Sequence, residues 1–220
     1  MSAFNSTRRF AMAHDGSAVT TTLPLVSRTR VIDVRTVHAR VLWDNGWGGG
    51  RFPTFASYLA TIPRVPTSPA GGMGTAKRRF SKLVLVDTMV PLTQVCRLLG
   101  VQYGGDDTLF KVHGDVRPQP SVYWMWVDAG DWTAGYPAFS VREALDQMEF
   151  ALTVEECLAL YACSPHLLQS GHGLHAAASR LGSFPAYCGC LMVGDDGVPT
   201  LGVAEYCVGA SERVTPMRWG

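Results

Sequence analysis

Charge is scarce in this chain. Only 17% of its 220 residues are Asp, Glu, Lys or Arg, and 19 basic against 18 acidic side chains leave a formal net charge of +1. No global field draws the protein to nucleic acid or anionic lipid, so any such binding rests on a local patch. Long hydrophobic runs are missing too. The longest candidate, "YWMWVDAG", is cut by Asp128 far short of the roughly 20 apolar residues that span a bilayer. No membrane partner is expected. There is no internal repeat, no low-complexity tract and no G-x-S-x-G nucleophile elbow. Nor is there a phosphate-binding loop: in "GGMGTAKRR" Lys77 follows alanine, and the segment leads into a strand instead of a helix. The opening "STRRFAMAHDG" has the twin arginine of an export signal. His14 and Asp15 then stand where an apolar region would run, so residues 1–30 read as a flexible arm on a cytoplasmic protein.

Hydrophobic residues, by contrast, make up 47% of the chain, ample for a core. The six cysteines are scattered through apolar segments, which suits reduced, buried thiols better than a disulfide framework. Val34, Val37, Val41 and Leu42 recur at helical spacing after Asp33, an N-cap, and before Gly46, a stop. "FPTFASYLATI" predicts a second helix with Pro53 in its first turn. These give a helical segment over residues 31–62. Prolines and glycines then mark residues 63–79 as a linker or loop. Residues 80–220 read as an α+β core, and 31–220 can form one domain.

Within that core "KLVLVDT" and "SVYWMWVDAG" predict strands, the second apolar on both faces and therefore central. On this reading Trp124 and Trp126 are a core pair. "PLTQVCRLL" predicts a helix stopped by Gly100. Two more helices start at apparent capping boxes, Ser140 with Glu143 and Thr153 with Glu156. The two apolar runs around "GDDG" predict a C-terminal β-hairpin. The fold expected is α+β: a mixed sheet with packed helices, that hairpin, and an N-terminal helical part.

"LTVEECLAL", "SPHLL", "SR", "FPAY" and "VPTLG" run in order from Leu152 to Gly202. Through Thr153, Glu155, Glu156, Pro165, Leu168, Ser179, Arg180, Pro185, Ala186, Pro199, Leu201 and Gly202, this half of the chain resembles a bacterial, mainly actinobacterial, domain-of-unknown-function family. "YWMWVDAGD" resembles that family's aspartate-ending strand. Two departures stand out. Glu156-Cys157 replaces an acidic-glycine step, and cysteine- and valine-rich strands replace tryptophan-rich ones. The resemblance implies a fold unit and carries no mechanism.

"HGLHAAASRLGSFPAYCGC" holds the densest set of metal-ligand types. If the first part is a helix, His172 and His175 share a face; on a strand, Cys188 and Cys190 do too. Together they would suit zinc, but the gaps are shorter than those of usual tetrahedral sites. The preferred reading is buried thiols with surface histidines and no cofactor. Cys163 has His166 close by as a base, yet it ends a helix, where a thiolate gains nothing. Asp128 and Asp131 flank the end of the central strand, as a carboxylate pair or as turn residues, with the turn role preferred. Arg180, next to Ser179, calls for a carboxylate such as Glu155 or Asp128, or for an anionic ligand; the ion pair is preferred. Lys77, Arg78, Arg79 and Lys82, with Phe80 among them, would contact phosphates of nucleic acid, or simply solvate a strand flank.

These residues favour a non-catalytic binding or scaffolding protein working within a protein assembly, through a protein partner or self-association. The alternatives are an enzyme or small-ligand-binding domain with its site at the sheet end (Asp128, Asp131, Arg180), and a nucleic-acid-associated protein using the basic cluster.

Overall fold

The computed structural model describes residues 33–67, 80–112, 119–130, 133–145, 149–168, 173–207 and 213–219. The expected arm over residues 1–30, most of the 63–79 loop, and candidates Lys77, Arg78, Arg79, Asp131 and His172 lie outside them.

Helix α1 (Val34–Asp44) begins as the sequence predicts, with the Asp33 carboxylate accepting from the Arg35 N–H at 3.2 Å. It ends at Gly46, whose φ of 92° suits glycine at a helix stop. Helix α2 (Phe55–Thr61) starts just beyond Pro53. Its cap is Thr54, whose hydroxyl accepts from the Ser57 N–H at 3.2 Å. Arg35 of α1 donates to the carbonyls of Leu59 and Ile62, at 2.6 and 3.0 Å. A cation thus closes the carbonyl end of α2 and clamps the helices together.

The strands fall into two sheets. The first has the order β1-β3-β9-β4, every pairing antiparallel: β1 (Lys82–Asp87), β3 (Val122–Asp128), β9 (Met217–Trp219) and β4 (Glu149–Ala151). The predicted central strand is indeed interior to its sheet. Tyr123, Met125 and Val127 are buried, while Trp124 and Trp126 on the other face are half-buried, a correction to the enclosed pair expected. Trp124 is covered by the N-terminal helical part. Its indole donates to the Pro63 carbonyl at 3.0 Å, and His38 meets it edge-on at 5.4 Å.

The second sheet has the order β2-β5-β6-β7: β2 (Phe110–Val112), β5 (Gly173–Leu181), β6 (Phe184–Val193) and β7 (Pro199–Glu205), with β8 (Arg213–Val214) parallel to the start of β5. β6 and β7 are the predicted hairpin around "GDDG". β5 overturns the helix weighed for "HGLHAAASR". Its alanines favour a helix locally, but pairing with β2 and β6 overrides that preference, and small side chains are what the packing requires.

The second predicted capping box is the other correction. Helix α4 (Ala138–Glu143) starts behind Pro137, so Ser140 is an exposed residue inside its first turn and no cap. Pro137, at φ −57°, already holds the backbone for helix entry. The helix stops at Ala144, because the chain must straighten into β4 to pair with β9. Helix α3 (Leu92–Leu98) lies as predicted, and Gly100 follows its end.

Helix α5 (Val154–Cys163) occupies the middle. It packs on β1 of the first sheet and on β5 and β6 of the second, and it touches α1 and α3. Val154, Cys157, Leu158, Ala159 and Leu160 are all buried. Such a helix must be apolar on several sides, which the sequence "VEECLALYAC" provides. The result is an α+β fold in which one helix is shared by two sheets. No helix among the described residues is long and apolar enough to cross a membrane.

Candidate functional site

Five charged side chains are buried among the described residues, Asp87, Asp128, Glu156, Arg180 and Arg218, and the way each is satisfied locates the candidate site. The first is Glu156 on α5. Its capping role is met as the sequence predicts: Oε2 accepts from the Thr153 N–H at 2.8 Å, and the Thr153 hydroxyl accepts from the Glu156 N–H at 3.3 Å. Its other oxygen reaches much further in the chain. Oε1 accepts from the Tyr123 hydroxyl at 2.7 Å and lies 2.8 Å from Arg218 Nε. Burial pushes the Glu156 carboxyl up, while Arg218, the Thr153 N–H and Tyr123 oppose that rise. The Tyr123 phenol is pushed up by burial and by the Glu156 charge. This hub ties α5 to β3 and β9.

The second is Asp87, at the end of β1. One oxygen accepts from Arg51 and from the Tyr58 hydroxyl, the latter at 3.2 Å; the other accepts from the Met89 N–H at 3.0 Å. Both carboxylates therefore have full sets of donors. They are spent on holding the fold together.

Arg180 is different. It is 5% exposed and, among the described residues, makes no ion pair; the expected bridge to Glu155 or Asp128 is absent. The strand carries a bulge just before it. Ala176 pairs with Gly189 and Arg180 with Cys188, so three residues of β5 lie against a single step of β6. The bulge directs Ser179 onto α5, where its hydroxyl accepts from the Val154 N–H at 3.0 Å. It leaves Arg180 against the ring of Tyr206, its guanidinium carbon 2.9 Å from the centroid. Arg180 Nη1 and the Tyr206 hydroxyl are buried without a hydrogen-bond partner. Burial pushes the Arg180 pKa down, and interaction with the Tyr206 side chain opposes that shift.

The remaining candidates are dispersed. Asp128 is buried at the end of β3 and accepts from the Gly130 N–H at 2.8 Å, the turn role preferred for it. Asp131 lies outside the described residues, so no carboxylate pair is placed there. His175 sits on β5 directly across from Cys190, and Cys188 shares that face of β6. His175 is fully buried, correcting the surface position expected; the bridging of β5 and β6 encloses it. Among the described residues, no group of three or more His, Cys, Asp and Glu side chains is arranged to hold a metal ion. None of the six cysteines is in a disulfide. Lys82 opens β1, half-buried; the other three basic residues of its cluster lie outside the described residues.

Sequence reasoning missed one pair. Cys163 Sγ lies 3.7 Å from Nδ1 of His38 on α1, instead of being served by the nearby His166. Burial raises the Cys163 thiol to about 11 and lowers the His38 imidazole. Cys163 is also the last residue of α5, where the helix dipole disfavours a thiolate. Both members are neutral near pH 7, so the pair is a packing contact and not an activated nucleophile. No local spacing could have revealed it. It does predict a pH response. A histidine depressed below its ordinary 6.5 lets the unfolded chain take up a proton first as the pH falls. The stability it supports is complete above about pH 6.5 and declines as the pH drops through that value toward the folded-state pKa. Urea midpoints measured between pH 7.5 and pH 5.5 should fall for the wild type and fall less for His38→Phe.

An open groove of about 440 Å³ runs beside β2. Thr108, Leu109, Lys111, Leu181, Ser183 and Phe184 line it. Its walls are fixed: the Gly182 N–H donates to the Leu109 carbonyl at 3.0 Å, and Asp106 accepts from the Thr108 N–H and hydroxyl at 2.8 and 2.7 Å. Phe184 is 60% exposed and Val112 on β2 is 55% exposed.

No family model, curated protein or solved structure matches the chain.

Proposed function

We propose that the protein is a non-catalytic binding or scaffolding module that takes an extended segment of a partner protein along the β2 edge of its second sheet. The observation that carries this is the groove beside an edge strand, lined by the exposed Phe184, with the exposed Val112 at the end of that strand. An edge strand presents backbone donors and acceptors on its open side, and an added strand satisfies them. Phe184, Leu181 and Leu109 offer an apolar seat for one side chain of the segment. Lys111 makes no ion pair among the described residues and favours an acidic residue opposite it.

The experiment is selection of a displayed random-peptide library on the immobilised full chain. Enriched peptides should alternate apolar residues around an acidic one, slow hydrogen exchange at Phe110–Val112, and lose binding to Phe184→Asp. Failure to enrich peptides, or equal binding to that variant, would discard the reading. Should the chain self-associate at micromolar concentration, with Phe184→Asp reducing it to a monomer, the segment comes from a second copy.

A further inference from the structure

We infer, resting on the β2 reading above, that the anion set against Lys111 is a chain terminus: the groove takes the last residue of a partner polypeptide, its side chain apolar and its carboxylate free. The observation is where Lys111 is held. It is exposed on β2 and pairs with Arg180, yet its stem leans over Gly182, in the turn between β5 and β6. A Cβ built on Gly182 would lie 3.2 Å from Lys111 Cε and 3.5 Å from its Cδ, so a glycine in the turn leaves room for that stem. The cation is thereby kept in the groove that Leu109, Leu181, Ser183 and Phe184 also line.

Charge and strand geometry together favour an end over an internal acid. Asp106 lines the same groove and makes no ion pair with Lys111 among the described residues. A segment carrying several acidic side chains meets repulsion from Asp106, whereas one negative group placed at Lys111 is attracted. An extended segment also points successive side chains to opposite faces, so an acidic residue and its apolar neighbour do not both face the groove. A last residue carries its apolar side chain and its carboxylate on one Cα. It fills the seat of Leu109, Leu181 and Phe184 and meets the ammonium at once, through a charge-assisted hydrogen bond. The exposed Ser183 hydroxyl is a further donor on that wall. β2 itself is short, Phe110–Val112, enough to pair with the final residues of a chain.

The test is an array of synthetic octapeptides anchored through their N-termini, with Val, Leu or Phe last and the other positions varied, probed with the full chain. The best binders are then titrated by fluorescence anisotropy, each as the free acid and as the C-terminal amide. The acid should bind about tenfold more tightly, the worth of one hydrogen bond to a charged group. Lys111→Met should erase that preference. Gly182→Ala keeps the charge but displaces the stem, and should reduce it. Phe184→Asp should weaken both forms. Equal binding of acid and amide, or a preference that survives Lys111→Met, overturns the inference; if those amides still slow hydrogen exchange at Phe110–Val112, the β2 reading stands with an internal segment as the occupant. Should neither form bind, the β2 reading fails and the inference with it.

Discussion

Glu156→Met should destabilise the fold by about 3–5 kcal/mol, the cost of stranding a buried charge. At roughly 2–4 °C per kcal/mol for a chain of this size, the melting temperature falls by about 6–20 °C. The loss is large because Arg218, 2% exposed, cannot shed its proton when its partner goes. Arg218→Met should cost less. The carboxylate left behind can take up a proton, and burial already pushes it that way. The sign of the pH effect follows. In Arg218→Met the folded-state pKa of Glu156 stands above its unfolded value of about 4.3, so stability falls as the pH rises from that value toward the folded-state one. The double variant Glu156→Met/Arg218→Met should recover much of the loss, since an apolar pair leaves no charge behind. Denaturant titrations of the three variants decide the matter; a single-variant loss under about 1 kcal/mol would remove Glu156 from its place as hub.

The second large effect is expected at Gly189. A Cβ added there would lie 2.5 Å from a Val154 methyl and 3.3 Å from the Ala176 Cβ. Val154 is β-branched and is the first residue of α5, so neither helix nor strand can give way easily. Gly189→Leu should cost about 2–3 kcal/mol by overpacking and lift α5 from the second sheet. Shortening the neighbour tests the cause: Gly189→Ala should be partly rescued by Val154→Ala. If the two changes simply add, the contact does not set the spacing between helix and sheet.

These two sites show how legible the chain was. The capping box at Thr153 and Glu156 could be read because both partners lie within one turn. The matching pattern at Ser140 and Glu143 misled because Pro137 had already started that helix. The alanines of β5 suggested a helix because propensity counts only neighbours, while the strand is held by β2 and β6. Arg180 was noticed for its type. The bulge of β5 that it follows is one that no residue spacing announces.

The amino-acid sequence by itself determined the α+β character, the ends of α1 and α5, the central strand β3 and the terminal hairpin. Each depends on periodicity, caps or turns spanning a few residues, and short-range sterics and hydrogen bonding suffice to specify them. Only the tertiary structure decided that one helix serves two sheets, that Glu156 meets Tyr123 and Arg218, and that Arg180 rests against the ring of Tyr206. Those contacts join residues far apart in the chain, where strand register and burial, and not local spacing, choose the partner.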